Sequence, residues 1–156
     1  MTKLAVDIIK MDEQILYGLW KKSNDKTISR DIDTLSEAYH SAVALSQGSV
    51  LPYFVLSKNY DEKTKNFELF IGSTFEHESL QNLLLPAGEY AKITVRPKLG
   101  LLWGASIGQA KRYFYTKWLP ESGYQSLNME YELHTERSKG NHPAIDIIFA
   151  IQQEIK

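Results

Sequence analysis

The chain has 156 residues, enough to bury one substantial core and short for two. Eighteen Lys and Arg against nineteen Asp and Glu leave a net charge of −1, so no basic excess points to nucleic acid and no acidic block suggests a solvating tail. The absence of cysteine excludes disulfides, thiolate zinc sites and cysteine nucleophiles. The opening "MTKLAVDIIK" is interrupted by Asp7 and is neither a signal peptide nor a membrane span, so a cytoplasmic protein without membrane contact is expected.

In chain order, "EQILYGLW" (13–20) reads as a strand in which Gly18 marks a bulge or the close approach of another backbone. Ile28, Ile32, Leu35, Tyr39 and Ala42 recur at helical spacing and predict an amphipathic helix over roughly 28–45, stopped by Gly48. "LPYFVLSK" (51–58) and "FELFIGST" (within 66–74) form a hairpin around the polar turn "NYDEKTKN". After a linker over 75–87 the pattern recurs: a strand at 88–97, a helix at about 103–118 with Ile107, Ala110, Phe114 and Trp118 on one stripe, then strands at 127–135 and 144–152.

Strand, helix, strand, strand, twice over, predicts an α+β fold. One antiparallel sheet carries two helices on one face and a ligand cleft on the other. The whole chain, 1–156, is read as one domain, with repeats at about 1–75 and 86–156. Period-two alternation assigns Phe54, Leu56, Phe67, Leu69, Ile71, Ala91, Ile93, Val95, Met129, Tyr131 and Leu133 to the helix side. Tyr53, Phe70, Tyr90, Lys92, Glu130 and Glu132 then share the opposite face. Lys92 could pair with one of the glutamates there. A carboxylate walled by rings is costly unless paired, and an aromatic cation could satisfy it.

Other motifs carry less. "GASIG" (104–108) has the spacing of a serine-hydrolase elbow, but that motif needs a strand before it and a parallel sheet around it; Ser106 with Gln109 reads instead as a helix cap. His40, His77, His134 and His142 lack metal-ligand spacing, and no glycine loop cradles a phosphate, so no metal or cofactor is expected.

The stretches "KWLPESGYQ" (117–125), "PAGEYAKI" (86–93), "YELHTER" (131–137) and "IDIIFAI" (145–151) resemble signatures of the GyrI-like effector-binding domain family, over nearly the whole chain. Two positions depart from its pattern: Ala150 stands where the family usually has proline, and His134 where a tyrosine is common. The resemblance implies a stand-alone relative of the ligand-sensing half of AraC-type and multidrug-responsive regulators. Such a domain would bind or sequester a lipophilic, often cationic, small molecule in a cleft between the repeats, without touching nucleic acid itself. It places the family's ligand-binding glutamate on Glu132, with Glu130 as the alternative register; Tyr53 and Tyr90, from the same strand face, and Trp103, at the start of the second helix, are the expected ring contacts. Two other roles found in the family stay open: a hydrolase of reactive natural products, and a protein-interaction module such as a gyrase inhibitor.

Overall fold

A computed structural model describes residues 3–45, 49–97 and 103–155. Eight strands form one sheet: β1 (Asp7–Met11), β2 (Gln14–Asn24), β3 (Tyr53–Lys58), β4 (Asn66–Ser73), β5 (Gln81–Leu85), β6 (Gly88–Val95), β7 (Tyr124–His134) and β8 (Ile145–Gln153). Their order is β1-β6-β8-β7-β3-β4-β2-β5, and every neighbouring pair is antiparallel. The helix α1 (Ile28–Val43) separates β2 from β3, and α2 (Trp103–Tyr113) separates β6 from β7. The strand-helix-strand-strand order therefore recurs, and the central six strands are arranged symmetrically about the β3–β7 pair.

Two strands were not anticipated. The sequence reading left β1 unassigned and placed β5 inside a linker. Each is only five residues long, too short for alternation to stand out, and each forms an edge of the sheet. Gly18 does mark a close approach. It lies opposite Gly72 across β2 and β4, and a Cβ on either glycine would overlap the carbonyl oxygen of Ile71 or Tyr17.

Leu35, Tyr39 and Val43 repeat every four residues along α1 and bury one stripe against Val55, Phe67, Leu69 and Ile71. The helix ends at Ala44, in the left-handed conformation with φ 57°; the expected stop, Gly48, lies outside the described residues. Ala110 and Tyr113 of α2, and Phe114 just beyond it, pack on Ala91, Ile93, Ile147 and Phe149. Phe114 stacks on Phe149 with ring centroids 3.8 Å apart. The strand register links these two patches across one face, so both helices lie on the same side of the sheet.

The second face departs from expectation. It carries Leu16, Phe54, Leu56, Phe70, Tyr90, Tyr131 and Ile148, all buried although no helix packs on them. The sheet curls, so that Ile9 and Met11 of one edge and Leu83 and Leu85 of the other close over this face. It is a filled core, and the cleft of this α+β fold opens on the helix side instead. The sorting of β3 and β7 is accordingly reversed. Phe54, Leu56, Met129, Tyr131 and Leu133 point into the curled core, while Tyr53, Val55, Glu130 and Glu132 point toward the helices. Lys92, paired in register with Ile148, lies on the side away from the glutamates.

Candidate ligand-binding site

Glu130 and Glu132 project from β7 into the space between the two helices. The cation that meets them comes from α2. Lys111 Nζ lies 3.0 Å from Glu130 Oε2 and 3.8 Å from Glu132 Oε2. One turn on, the Tyr115 hydroxyl donates to Glu130 Oε1 at 2.7 Å. Glu132 Oε1 faces His134 Nε2 at 3.5 Å. Glu130 has the shorter contacts of the two carboxylates.

Tyr115 belongs to a π-helical turn, Phe114–Trp118, in which the Leu119 N–H reaches back five residues to the Phe114 carbonyl. Pro120, at the start of the short α3 (Leu119–Ser122), cannot donate to the carbonyl four residues earlier and its ring crowds that turn. Widening by one residue accommodates it, and such turns often occur at functional sites. The predicted helix at 103–118 is therefore two geometries in succession, and the second sets Tyr115 over Glu130.

Burial acts on these groups in recognisable ways. Desolvation and then the Glu130 charge hold the Tyr115 phenol far above its ordinary range, so it remains a donor. Burial by itself would raise the Glu132 carboxyl, but the His134 contact and the Lys111 charge outweigh it and hold it below its usual value. Desolvation would loosen the Lys111 proton, and the two glutamates reverse that effect and raise its pKa. Glu132 and Lys111 are therefore each held in the charged form.

A cavity of about 700 Å³ opens beside this cluster, within the range of small-molecule sites. Ile28, Tyr60, Phe67, Tyr115 and Leu119 supply its apolar and aromatic wall, and Glu130 and Lys111 its charged floor. A strand irregularity builds one side. β7 carries two more residues between Ser126 and Glu130 than β8 does between their partners. At its apex Asn128 adopts φ 57°, a conformation asparagine tolerates. Its side chain accepts from the Tyr60 N–H at 2.8 Å and donates to the Tyr60 carbonyl at 3.0 Å, clamping that wall residue. Tyr60 in turn donates to Asp25 at 2.7 Å. Two other grooves, of about 790 and 410 Å³, are more open; the larger is lined almost wholly by polar side chains such as Lys21, Asn24, Arg30 and Asp61. Of these three, the cavity between the helices is the least open and has the most aromatic wall, with Tyr60, Phe67 and Tyr115.

The five residues singled out from sequence separate into three places. Glu130 lines the cavity, and Glu132 stands behind Lys111 next to it. Tyr53 shares their face but lies beyond Glu132, 6.1 Å from the His134 ring, with its hydroxyl 2.9 Å from Ser36 Oγ. Burial is the main reason its phenol is pushed up to about 12, with the Ser36 contact opposing. Tyr90 faces the curled core on the opposite side, donating to the Pro86 carbonyl at 2.6 Å. Trp103 begins α2 and packs on the core beneath it. Lys111 and Tyr115 were missed, although they sit four residues apart beside the apolar stripe of α2, a spacing that could have matched them to the paired glutamates. Ser106 is buried inside α2, which begins by Trp103, so it does not cap that helix as expected.

With this geometry in place, the sequence itself decides the family: the model of the GyrI-like small molecule binding domain matches residues 5–151. The chain belongs to that family. The GyrI-like assignment agrees with the solved structures similar to it. A putative bacterial transcription regulation protein from Staphylococcus aureus MU50 aligns over 96% of this chain and 99% of its own, with TM-score 0.68 and 10% identity. SAV2435 bound to tetraphenylphosphonium aligns over 96% and 94%, with TM-score 0.68 and 10% identity. The EcmrR C-terminal domain aligns over 98% and 100%, with TM-score 0.56 and 13% identity. At such identities the likeness is one of fold. No curated protein matches the sequence. Among the described residues no helix is long and apolar enough to cross a membrane, and no group of three or more His, Asp or Glu side chains is placed to hold a metal.

Proposed function

We propose that this GyrI-like domain binds lipophilic cations in the cavity between α1 and α2, as a sensor or sequestering protein of the cytoplasm that does not itself contact nucleic acid. Glu130 and Glu132 would act together as counter-ion, with Tyr60, Phe67 and Tyr115 as ring contacts. One observation carries the reading: a partly buried cluster with an excess negative charge forms the floor of an aromatic-walled cavity. A cation with aromatic substituents supplies the missing charge and covers the rings at once. The tetraphenylphosphonium held by SAV2435 is a ligand of this chemistry in a protein of the same fold.

The test is titration of the purified protein with tetraphenylphosphonium, followed by intrinsic fluorescence, with triphenylphosphine oxide as a neutral control. Glu130→Gln and Glu132→Gln should each weaken phosphonium binding by about 1–3 kcal/mol, the range of a charge-assisted contact, and leave the oxide nearly unchanged. Absence of saturable phosphonium binding, or equal losses for both compounds, refutes the proposal.

A further inference from the structure

The carboxylate pair already has a cation. Lys111 reaches from α2 to both carboxylates and lines the cavity together with Glu130. Its side chain is 27% exposed, against 15% and 14% for the two glutamates. A ligand entering the cavity therefore meets Lys111 as well as Glu130. We infer that Lys111 is a built-in competitor for the ligand's charge and sets the selectivity of the site, which takes one positive charge and disfavours two. The inference rests on the cation-binding reading above.

Charge balance is the first reason. Glu130 and Glu132 contribute −2 and Lys111 +1, so a monocation brings the cluster to neutrality. A dication would leave an uncompensated positive charge in a poorly hydrated space, which is costly. The other titratable groups around the cluster are Tyr115, Tyr53 and His134, and the cavity is also lined by Asp25, Lys58, Tyr60 and Glu62. The Tyr53 and Tyr115 phenols are held neutral by burial, and His134 can only add positive charge. Asp25 and Glu62 are exposed, so water screens them, and Lys58 in the same lining offsets one of the two; neither gives a second cation a desolvated partner.

The second reason is mobility. Lysine carries its charge on a flexible four-carbon stem and makes point contacts, unlike the planar fork of arginine. Lys111 can yield the carboxylates to a ligand without unfolding the helix that bears it. Its contacts are also unequal, and the longer one, to Glu132 at 3.8 Å, is the one more readily given up.

Ethidium and propidium test this, because they share one ring system and carry one and two charges. Measured at pH 8, where two adjacent carboxylates without a lysine have largely shed any shared proton, Lys111→Met should tighten ethidium binding on the order of 10-fold and propidium on the order of 100-fold. Triphenylphosphine oxide should be unaffected, and Lys111→Arg should keep the wild-type preference between the dyes. Should Lys111→Met fail to fold, Lys111→Met combined with Glu132→Gln removes one charge of each sign and should also keep that preference. Unchanged dye affinities in Lys111→Met, an equal gain for the neutral oxide, or a shift toward propidium in the double variant overturns the inference while ethidium binding by the wild type upholds the function. If wild type and variants bind neither dye, cation binding itself fails and this inference with it.

Discussion

Tyr115→Phe removes one hydroxyl and leaves the ring, and the structure allows its cost to be worked out. The hydroxyl donates at 2.7 Å to an ionised carboxylate. Hydrogen bonds to charged groups contribute about 1.5–3 kcal/mol when well shielded. Tyr115 is 36% exposed, so water can replace part of the bond, and about 1–2 kcal/mol is the better expectation. The ring contacts of Tyr115 with Phe114 and Phe149, at 5.0 and 5.7 Å, survive the change and add nothing to the loss. For a chain of this length that stability loss lowers Tm by about 2–8 °C. The assay is thermal and urea unfolding of wild type, Tyr115→Phe, Glu130→Gln and the double variant. Because hydroxyl and carboxylate are one bond, the double variant should be more stable than the sum of the single losses implies, by about 1 kcal/mol. Additive losses would mean that the bond contributes nothing in solution, and the account of how the π-helical turn positions Tyr115 would fall with it.

Three further outcomes are expected. The Glu132 carboxyl is lowered in the folded state, so its stabilising contribution is complete above the ordinary carboxylate range and is lost as pH falls through the folded value; urea midpoints between pH 6 and 3 should drop less steeply in Glu132→Gln than in wild type, and parallel curves would refute this. Gly18→Ala or Gly72→Ala should abolish accumulation of folded protein, whereas Gly104→Ala and Gly108→Ala, whose new methyl groups meet nothing within 4 Å, should gain about 0.5–1 kcal/mol each by circular-dichroism melting. Asn128→Gly keeps the backbone conformation but releases Tyr60, so it should weaken tetraphenylphosphonium binding several-fold at little cost to Tm; unchanged affinity would remove Tyr60 from the proposed ring contacts.

The repeated strand-helix-strand-strand order was legible in the sequence because it depends on local periodicity, whereas the short edge strands β1 and β5 were not. Leu35, Tyr39 and Val43 can bury one stripe only as a helix, and the hairpin strands alternate around polar turns. Gly18 was legible for a similar reason, since a glycine inside a strand signals a neighbour too close for a side chain. The pairing of Glu130 and Glu132 on one face follows from alternation as well. Which face that is does not. Alternation divides a strand into two sides without saying what covers either, and here both sides are buried, one by helices and the other by the curl of the sheet. In β3 and β7 the two sides were therefore exchanged, and Tyr90 was grouped with the glutamates it does not meet. Only the tertiary structure sets Lys111 and Tyr115 against β7, because that contact depends on the docking of α2 and on the π-helical turn before Pro120. A charge on a helix and a charge on a strand have no sequence spacing that relates them, and packing alone brings them within 3.0 Å.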